Sequence, residues 1–416
     1  MSKNNKTQDK EKKTMVNEEI MKSLAIKTES KIVLLVTDGI GDLPSENNKT
    51  VLENAFIPNL DKLASKSACG LTDPISRGIT PGSGPAHLSL FGYDPIRYQI
   101  GRGVLEALGI GMELTSRDLA CRGNFATLDK EGIITDRRAG RIATELNKKL
   151  CKLMQGKINQ IGDVKIIIKP GKEHRFVVVF RGDGLGDSLS DADPQKVGEK
   201  IKFTEPLDSK AKKSVETVNE FIKQATEVLK EHHPANTVLL RGFAKHPGLL
   251  TMKELFKLTP AAIATYPMYK GLSKLVGMDI LETGESLSDE FKTLQDNFSR
   301  YDFFYLHIKK TDSYGEDGNF EQKVRAIEEV DKYIPEVLAL KPDVLVVTGD
   351  HSTPALMKGH SWHPNPFMLF SKYIRVDETE QFTEKECVKG GLGRFSAVDV
   401  LPLMMANALK LQKFGA

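Results

Sequence analysis

A chain of 416 residues has room for roughly two or three domains and a sizeable core. Its 40% hydrophobic and 28% charged residues are ordinary for a globular protein, and a formal charge of +3 without a dense basic stripe gives no footprint for nucleic acid. The four cysteines (Cys69, Cys121, Cys151, Cys387) are far apart with no CxxC pair, which argues against a disulfide scaffold or thiolate zinc site and fits a reducing compartment.

Residues 1–28 are rich in lysine, glutamate and asparagine. They lack the apolar stretch of a signal peptide and carry too many acidic residues for a transit peptide, so they read as a flexible, solvated leader with a short helix near "EEIMKSLAI". No apolar run approaches the roughly 20 residues of a membrane span. No membrane association is expected, and the expected location is the cytoplasm. "KIVLLVTDGIGD" (31–42) is a buried strand stopped by an Asp-Gly turn. "TPGSGPAHLSLFGYDP" (80–95) is a Gly/Pro-rich loop running into an apolar stretch that can start a helix. Ser83 sits between two glycines there, where it is either a helix N-cap or a reactive hydroxyl. No Gly-Lys-Ser/Thr follows, so the loop is not a nucleotide-binding P-loop.

From about 112 to 257 the texture changes to shorter strands, at 164–169, 176–180 and 237–240, among charged turns such as "RGDGLGDSLSDADPQ". Helical periodicity marks 214–230. The apolar pattern returns at "AAIATYPMYKGLSKLVGM", followed by strands at "YDFFYLHIKKTD" and "PDVLVVTGDHSTP" and a long helix over 320–340. Strands alternating with helices predict an α/β fold with a mostly parallel sheet. The core is then discontinuous, 29–111 and 258–416, with a smaller α/β (α+β) domain inserted at 112–257.

In an open parallel sheet, ligands gather beyond the carboxyl ends of the strands. Three buried runs finish there in Asp38, in Asp312, and in the pair Asp350–His351. A single carboxylate at a strand end is usually a turn residue. Three on neighbouring strands repel one another unless cations neutralise them. Carboxylate and imidazole without thiolate suit Mn²⁺, Zn²⁺ or a similar divalent ion. Asp312 and Glu316 are four apart in "TDSYGEDGN", a spacing that converges if the turn is helical, and "KGHSWHPNP" adds His360 and His363 before a proline turn. "GIGD" (39–42) lacks the third glycine of a dinucleotide fingerprint, and "GGLG" (390–393) follows no clear strand, so both read as turns. His232 and His233 read as solvated residues at a helix end.

"VTDGIGD", "TPGSGPAHLSLFGYDP", "HIKKTDSYGEDGNFEQKV", "VTGDHSTP", "HSWHPNP" and "GRFSAVDVLPLMMANALK" occur in that order between about residues 30 and 410. Together they resemble the cofactor-independent phosphoglycerate mutases of the archaeal type, within the alkaline phosphatase superfamily. The resemblance implies an alkaline phosphatase-like core and an isomerase that interconverts 3-phosphoglycerate and 2-phosphoglycerate in glycolysis and gluconeogenesis, without 2,3-bisphosphoglycerate. It implies Ser83 as the nucleophile that forms a phosphoserine. It assigns Asp38, Ser83, Asp350 and His351 to one metal ion, and Asp312, the residue at 316 and His360 to a second. The commoner pattern has histidine where this chain has Glu316. Two divalent ions are implied, manganese first, with zinc, magnesium or cobalt as alternatives.

A glycerate phosphate carries a phosphate dianion and a carboxylate, which favours arginine forks. The inserted domain offers Arg122, Arg137, Arg138, Arg141, His174, Arg175, Arg181 and Arg241. The resemblance supports Arg138, Arg141, Arg175, Arg241 and, from the core, Lys270 of "YPMYKG" as substrate contacts, and Arg122 and His174 are expected beside them. The alternative is a metal-dependent phosphohydrolase or phosphopentomutase on the same core. A non-catalytic relative is disfavoured because Ser83 stands with nearly all the ligand types.

Overall fold

A computed structural model describes residues 18–45 and 48–415. The chain forms two compact units, Met1–Gln99 with Leu249–Ala416, and Ile100–Gly248. In chain order the first unit opens with β1 (Ile32–Thr37) and β2 (Ala68–Asp73). The second unit holds β3 (Asp118–Leu128), β4 (Ile134–Asp136), β5 (Gln160–Ile161), β6 (Val164–Pro170), β7 (Arg175–Arg181) and β8 (Thr237–Lys245). The first then resumes with β9 (Pro260–Ile263), β10 (Asp279–Ile280), β11 (Phe303–Ile308), β12 (Val344–Thr348), β13 (Asn365–Ser371) and β14 (Gly393–Ser396).

The first unit is built on a sheet of order β10-β9-β11-β1-β12-β13-β2-β14, parallel except where β13 runs against β12 and β2. β1, β11 and β12 are buried along their whole length, as expected for central strands covered on both faces. Their register decides where the chemistry falls. Thr37 pairs with Ile308 and Val36 with Thr348, so the residues just past all three strands emerge at one edge. These are Asp38, the 309–312 segment and Asp350.

The second unit is antiparallel throughout its six-stranded sheet. Strand alternation divides its two faces. Leu119, Cys121 and Phe125 of β3, Phe176, Val178 and Phe180 of β7, and Val238 and Leu240 of β8 enter one core with Leu150, Met154, Val218 and Phe221 from the helices Thr144–Lys157 and Lys212–Leu229. The intervening positions, which include Arg122, Arg175 and Arg241, belong to the other face. Arg122 pairs with Arg241 across β3 and β8, and Asn124 with Arg175 across β3 and β7.

Several sequence expectations need adjustment. The second unit runs from 100 to 248, not from 112 to 257. The helix Arg102–Gly109 belongs to it because Gly101 and Gly103 allow close approach to the sheet. A Cβ on Gly103 would lie 2.5 Å from the Ala120 carbonyl oxygen, and one on Gly101 2.3 Å from the Ala244 Cβ. At the other end Phe256 packs edge-on against Tyr93 of the first unit, with ring centroids 5.8 Å apart. The long helix expected over 320–340 is two, Phe320–Asp331 and Ile334–Ala339, with Pro335 in the first turn of the second, where its missing N–H costs nothing.

The leader differs as well. Its first 17 residues lie outside the described ones, but residues 18–24 form a helix and the following segment is not a solvated extension. Ala25 is buried and bridges Leu411, the Ile26 N–H donates to the Lys410 carbonyl (2.9 Å), and Glu18 accepts from Arg97 (2.7 Å) and Tyr98 (3.0 Å).

One buried side chain fixes the turn that delivers His174 and Arg175. Asn147 donates from Nδ2 to the carbonyls of Glu173 and Arg175, both at 2.6 Å. Asn147→Ala leaves two carbonyls without that donor inside the protein, and the expected loss is about 1–3 kcal/mol. Urea denaturation of the full chain, read by a probe in the second unit, measures it.

Candidate active site

Asp38 leaves β1 with its N–H bonded to the Ile308 carbonyl at 2.9 Å, and Asp350 accepts from the Gly39 N–H at 3.2 Å. Asp312 lies on the helix Lys310–Glu316, one turn beyond β11. The Asp38, Asp350 and His351 side chains bring one ligand atom each within 4.8 Å of one another, and Asp312, His351 and His360 form a second such group. His351 belongs to both. Its Nε2 lies 3.1 Å from Asp350 Oδ2 and 3.4 Å from Asp38 Oδ1, while its ring stacks on His360 with centroids 3.6 Å apart. His360 Nε2 is 3.7 Å from Asp312 Oδ1.

Ser83 opens the helix Ser83–Leu90, where Gly82 holds the cap position. The serine is therefore not the N-cap. Its Oγ points instead to His351 Nε2, 3.2 Å away. Glu316 stands apart: its side chain is 55% exposed and its Oε1 is 3.9 Å from His360 Nε2, outside both three-residue groups. His363 bonds to Ser361 and joins neither group.

Asp38, Asp312, Asp350 and His351 are all buried. The outer oxygen of Asp38, Oδ2, accepts from Tyr269 (2.5 Å), His307 (3.0 Å) and Lys309 (3.1 Å), and Lys309 also bonds to Asp312. The inner oxygens, Asp38 Oδ1 and Asp350 Oδ2, have no hydrogen-bond donor. Burial pushes the Asp350 carboxyl well above the usual range, and the Asp38 and Asp312 charges push the same way. Asp38 moves well below it: burial opposes, but the His307 bond and the His351, His307 and Lys309 charges prevail. Burial also holds His87, between Asp350 and the Ser83 carbonyl, down at about 3. Buried carboxylate oxygens without donors, beside a shared imidazole, fit divalent cations of oxygen- and nitrogen-preferring character.

The second unit carries the opposite imbalance. Arg122 is buried and bonds to Glu106 at 3.0 Å. Its guanidinium is lowered to about 10, first by burial and then, against the pull of Glu106, by the Arg241, Arg175 and Arg102 charges. The Nε atoms of Arg122, Arg175 and Arg241 and the Nδ1 of His174 are buried without a hydrogen-bond partner. Arg138 and Arg141 are exposed. Two other arginines of the same stretches are spoken for: Arg137 forks onto Asp193 and Arg181 onto Asp118. Lys270, half-buried, lies on the helix Pro267–Leu275 of the first unit, next to Tyr269.

A family profile described as 2,3-bisphosphoglycerate-independent phosphoglycerate mutase matches residues 64–236. A protein of Thermosipho africanus, named "Probable 2,3-bisphosphoglycerate-independent phosphoglycerate mutase", is 56% identical over 399 residues, covering 96% of this chain and 99% of its own. This chain belongs to that family. A protein of the same name from Aquifex aeolicus is 52% identical over 411 residues, covering 96% of this chain and 100% of its own. Among solved structures, the cofactor-independent phosphoglycerate mutase of Thermoplasma acidophilum has a TM-score of 0.74 and 32% identity over 91% of this chain and 100% of its own. The PH0037 protein of Pyrococcus horikoshii has a TM-score of 0.79 at 32% identity, over 94% of this chain and all of its own.

Within this family member, sequence reasoning passed over His87, Tyr269, His307 and Lys309. Two of them had a readable signal. His307 and Lys309 are two apart at the end of β11, so they share a face, and that face meets the Asp38 carboxylate. His87 is one helical turn after Ser83, the spacing that places both on one side of the helix. Tyr269 reaches Asp38 across 231 residues and no local pattern announces it.

His174 gives a pH signature that does not involve the acidic groups. Its imidazole is lowered to about 4, first by burial and then by Arg175 and Arg122. It therefore stays neutral in the folded protein while an unfolded histidine takes up a proton below about 6.5. The associated stability is complete above that value and declines as pH falls towards 4. The His174 C2–H resonance is expected to stay flat between pH 5 and 8, and His174→Gln should soften the acid limb of the stability–pH curve.

Proposed function

We propose that Ser83 carries the phosphoryl group in an interconversion of 3-phosphoglycerate and 2-phosphoglycerate that needs no 2,3-bisphosphoglycerate. The relatives carry that name over almost the entire chain, and one observation here speaks for the residue: a serine hydroxyl on a glycine-flanked helix start, 3.2 Å from the imidazole common to both acidic groups. In this reading Ser83 Oγ gives up its proton as it bonds to phosphorus, and the substrate's C–O–P oxygen leaves and takes one up. The other glycerate hydroxyl then attacks the phosphoserine and gives up its proton, and the released Ser83 Oγ takes one back. Asp38, Asp350 and His351, with Ser83, would hold one divalent ion, and Asp312 and His360 the other, with Glu316 at its margin. Such ions lower the pKa of a serine hydroxyl and balance charge on the phosphoryl oxygens. Manganese is the ion proposed first, with zinc, magnesium and cobalt as competitors, since carboxylate and imidazole donors accept all of them.

Arg122, Arg175 and Arg241 are proposed to bind the glycerate anion, because each has a buried Nε without a partner and all three lie on one face of the sheet. His174 beside them can donate once and accept once in its neutral form. Arg138, Arg141 and Lys270 are proposed as further contacts. The proposed setting is glycolysis and gluconeogenesis in the cytoplasm; no helix among the described residues is long and apolar enough to cross a membrane.

The deciding assay couples 2-phosphoglycerate formation to enolase, without 2,3-bisphosphoglycerate and with a panel of divalent metals. Activity is expected to vanish on chelation and return with Mn²⁺. Ser83→Ala is expected to lose about 10³-fold or more in kcat. Inorganic phosphate as the main product would favour a phosphohydrolase instead. Arg175→Ala should cost about 10- to 100-fold in kcat/KM, the scale of one lost charge-assisted bond. Glu316→Gln should change metal affinity less than Asp312→Asn; an equal effect in calorimetry would bring Glu316 into the ligand set.

A further inference from the structure

The Thr353 hydroxyl lies 2.6 Å from Asp312 Oδ1 and 3.0 Å from His351 Nδ1. A hydroxyl has one hydrogen, and an ionised carboxylate can only accept. That hydrogen therefore goes to Asp312, so the Thr353 oxygen must accept from His351, whose Nδ1 carries the proton. The other ring nitrogen, Nε2, is left with a lone pair facing Ser83 Oγ, Asp38 Oδ1 and Asp350 Oδ2. Without a cation a lone pair has nothing to gain from two carboxylate oxygens.

Thr353 is itself held from every side. Its carbonyl accepts from the buried Lys323 ammonium at 2.8 Å, and the same ammonium binds Asp42 Oδ2 (2.8 Å) and the Gly41 carbonyl (3.2 Å). Its N–H donates to the Gly41 carbonyl at 3.1 Å. Two glycines make way for it. A Cβ on Gly39 would lie 2.5 Å from the Thr353 hydroxyl, and one on Gly315 2.3 Å from its carbonyl oxygen.

We propose that Thr353 is a positioning residue that fixes the His351 tautomer and the Asp312 carboxylate with one hydroxyl, so that it ties the two cation groups together. The inference rests on the two-ion reading above. It adds that the sites are not independent, because a residue that ligates neither ion controls a donor of each. Partners that orient metal ligands typically matter 10- to 100-fold in metal affinity or activity.

The test is calorimetric titration of the metal-free full chain with Mn²⁺ for wild type, Thr353→Val and Thr353→Ser, with thermal melts of each metal-free protein. Thr353→Val keeps the shape and removes the hydroxyl; it is expected to weaken both binding steps by about 10- to 100-fold, while Thr353→Ser restores wild-type binding. Unchanged binding in Thr353→Val overturns the proposal, as does loss confined to one step. Equal loss in Thr353→Ser also overturns it, since packing and not the hydroxyl would then be responsible. If Thr353→Val does not fold, the serine variant decides alone: wild-type binding supports the hydroxyl's role and weakened binding overturns it. A wild-type chain that binds two ions yet makes no 2-phosphoglycerate would sink the mutase reading and leave this one standing.

Discussion

Three carboxylates buried around one imidazole set the terms for the first unit. Asp38, Asp312 and Asp350 could not stay ionised side by side in an apolar setting without compensation. The fold supplies part of it. Tyr269, His307 and Lys309 satisfy the outer oxygen of Asp38, and Lys309 also reaches Asp312. It does not supply the rest: the inner oxygens of Asp38 and Asp350 face inward without donors. The half-satisfied carboxylate of Asp38 is what an ion ligand needs, since one oxygen is anchored while the other keeps its lone pairs directed at the site.

The two units show how the same restraint serves opposite charges. In the first, buried acids crowd around a shared imidazole. In the second, a sheet face gathers Arg122, Arg175 and Arg241 against Glu106, and the like charges together with burial strain the most enclosed guanidinium. Arginines whose work is structural look different. Arg137 and Arg181 each meet a buried aspartate through two parallel hydrogen bonds, so their charge is already matched. Arg122, Arg175 and Arg241 instead each keep a buried Nε without a hydrogen-bond acceptor.

Much of this was legible in the sequence because strands carry their burial openly. β1, β11 and β12 are continuous apolar runs, and a polar residue just beyond such a run must lie at the sheet's edge, which is how Asp38, Asp312, Asp350 and His351 could be grouped unseen. Ser83 and His360 were harder, because loops have no period; their grouping came from the order of whole motifs. Tyr269 and Lys323 were out of reach, since their meaning depends on partners hundreds of residues away or on burial of a side chain that is usually exposed. The boundary of the second unit slipped for a related reason. The helix Arg102–Gly109 is amphipathic like any other, and only the close glycine contacts tell which sheet it serves.

The start of the helix at Ser83 shows how a helix cap can leave a hydroxyl uncommitted. A serine N-cap would spend its oxygen on a backbone N–H, and a serine so occupied is a poor nucleophile. With Gly82 in the cap position no side chain competes for the first-turn amides, and Pro85 has no amide to offer. The hydroxyl is free to face His351, and any negative charge that gathers on it lies at the positive end of the helix dipole. Gly82 and Pro85 thus do more than make a turn: they release Ser83 from a structural duty that its position would otherwise impose.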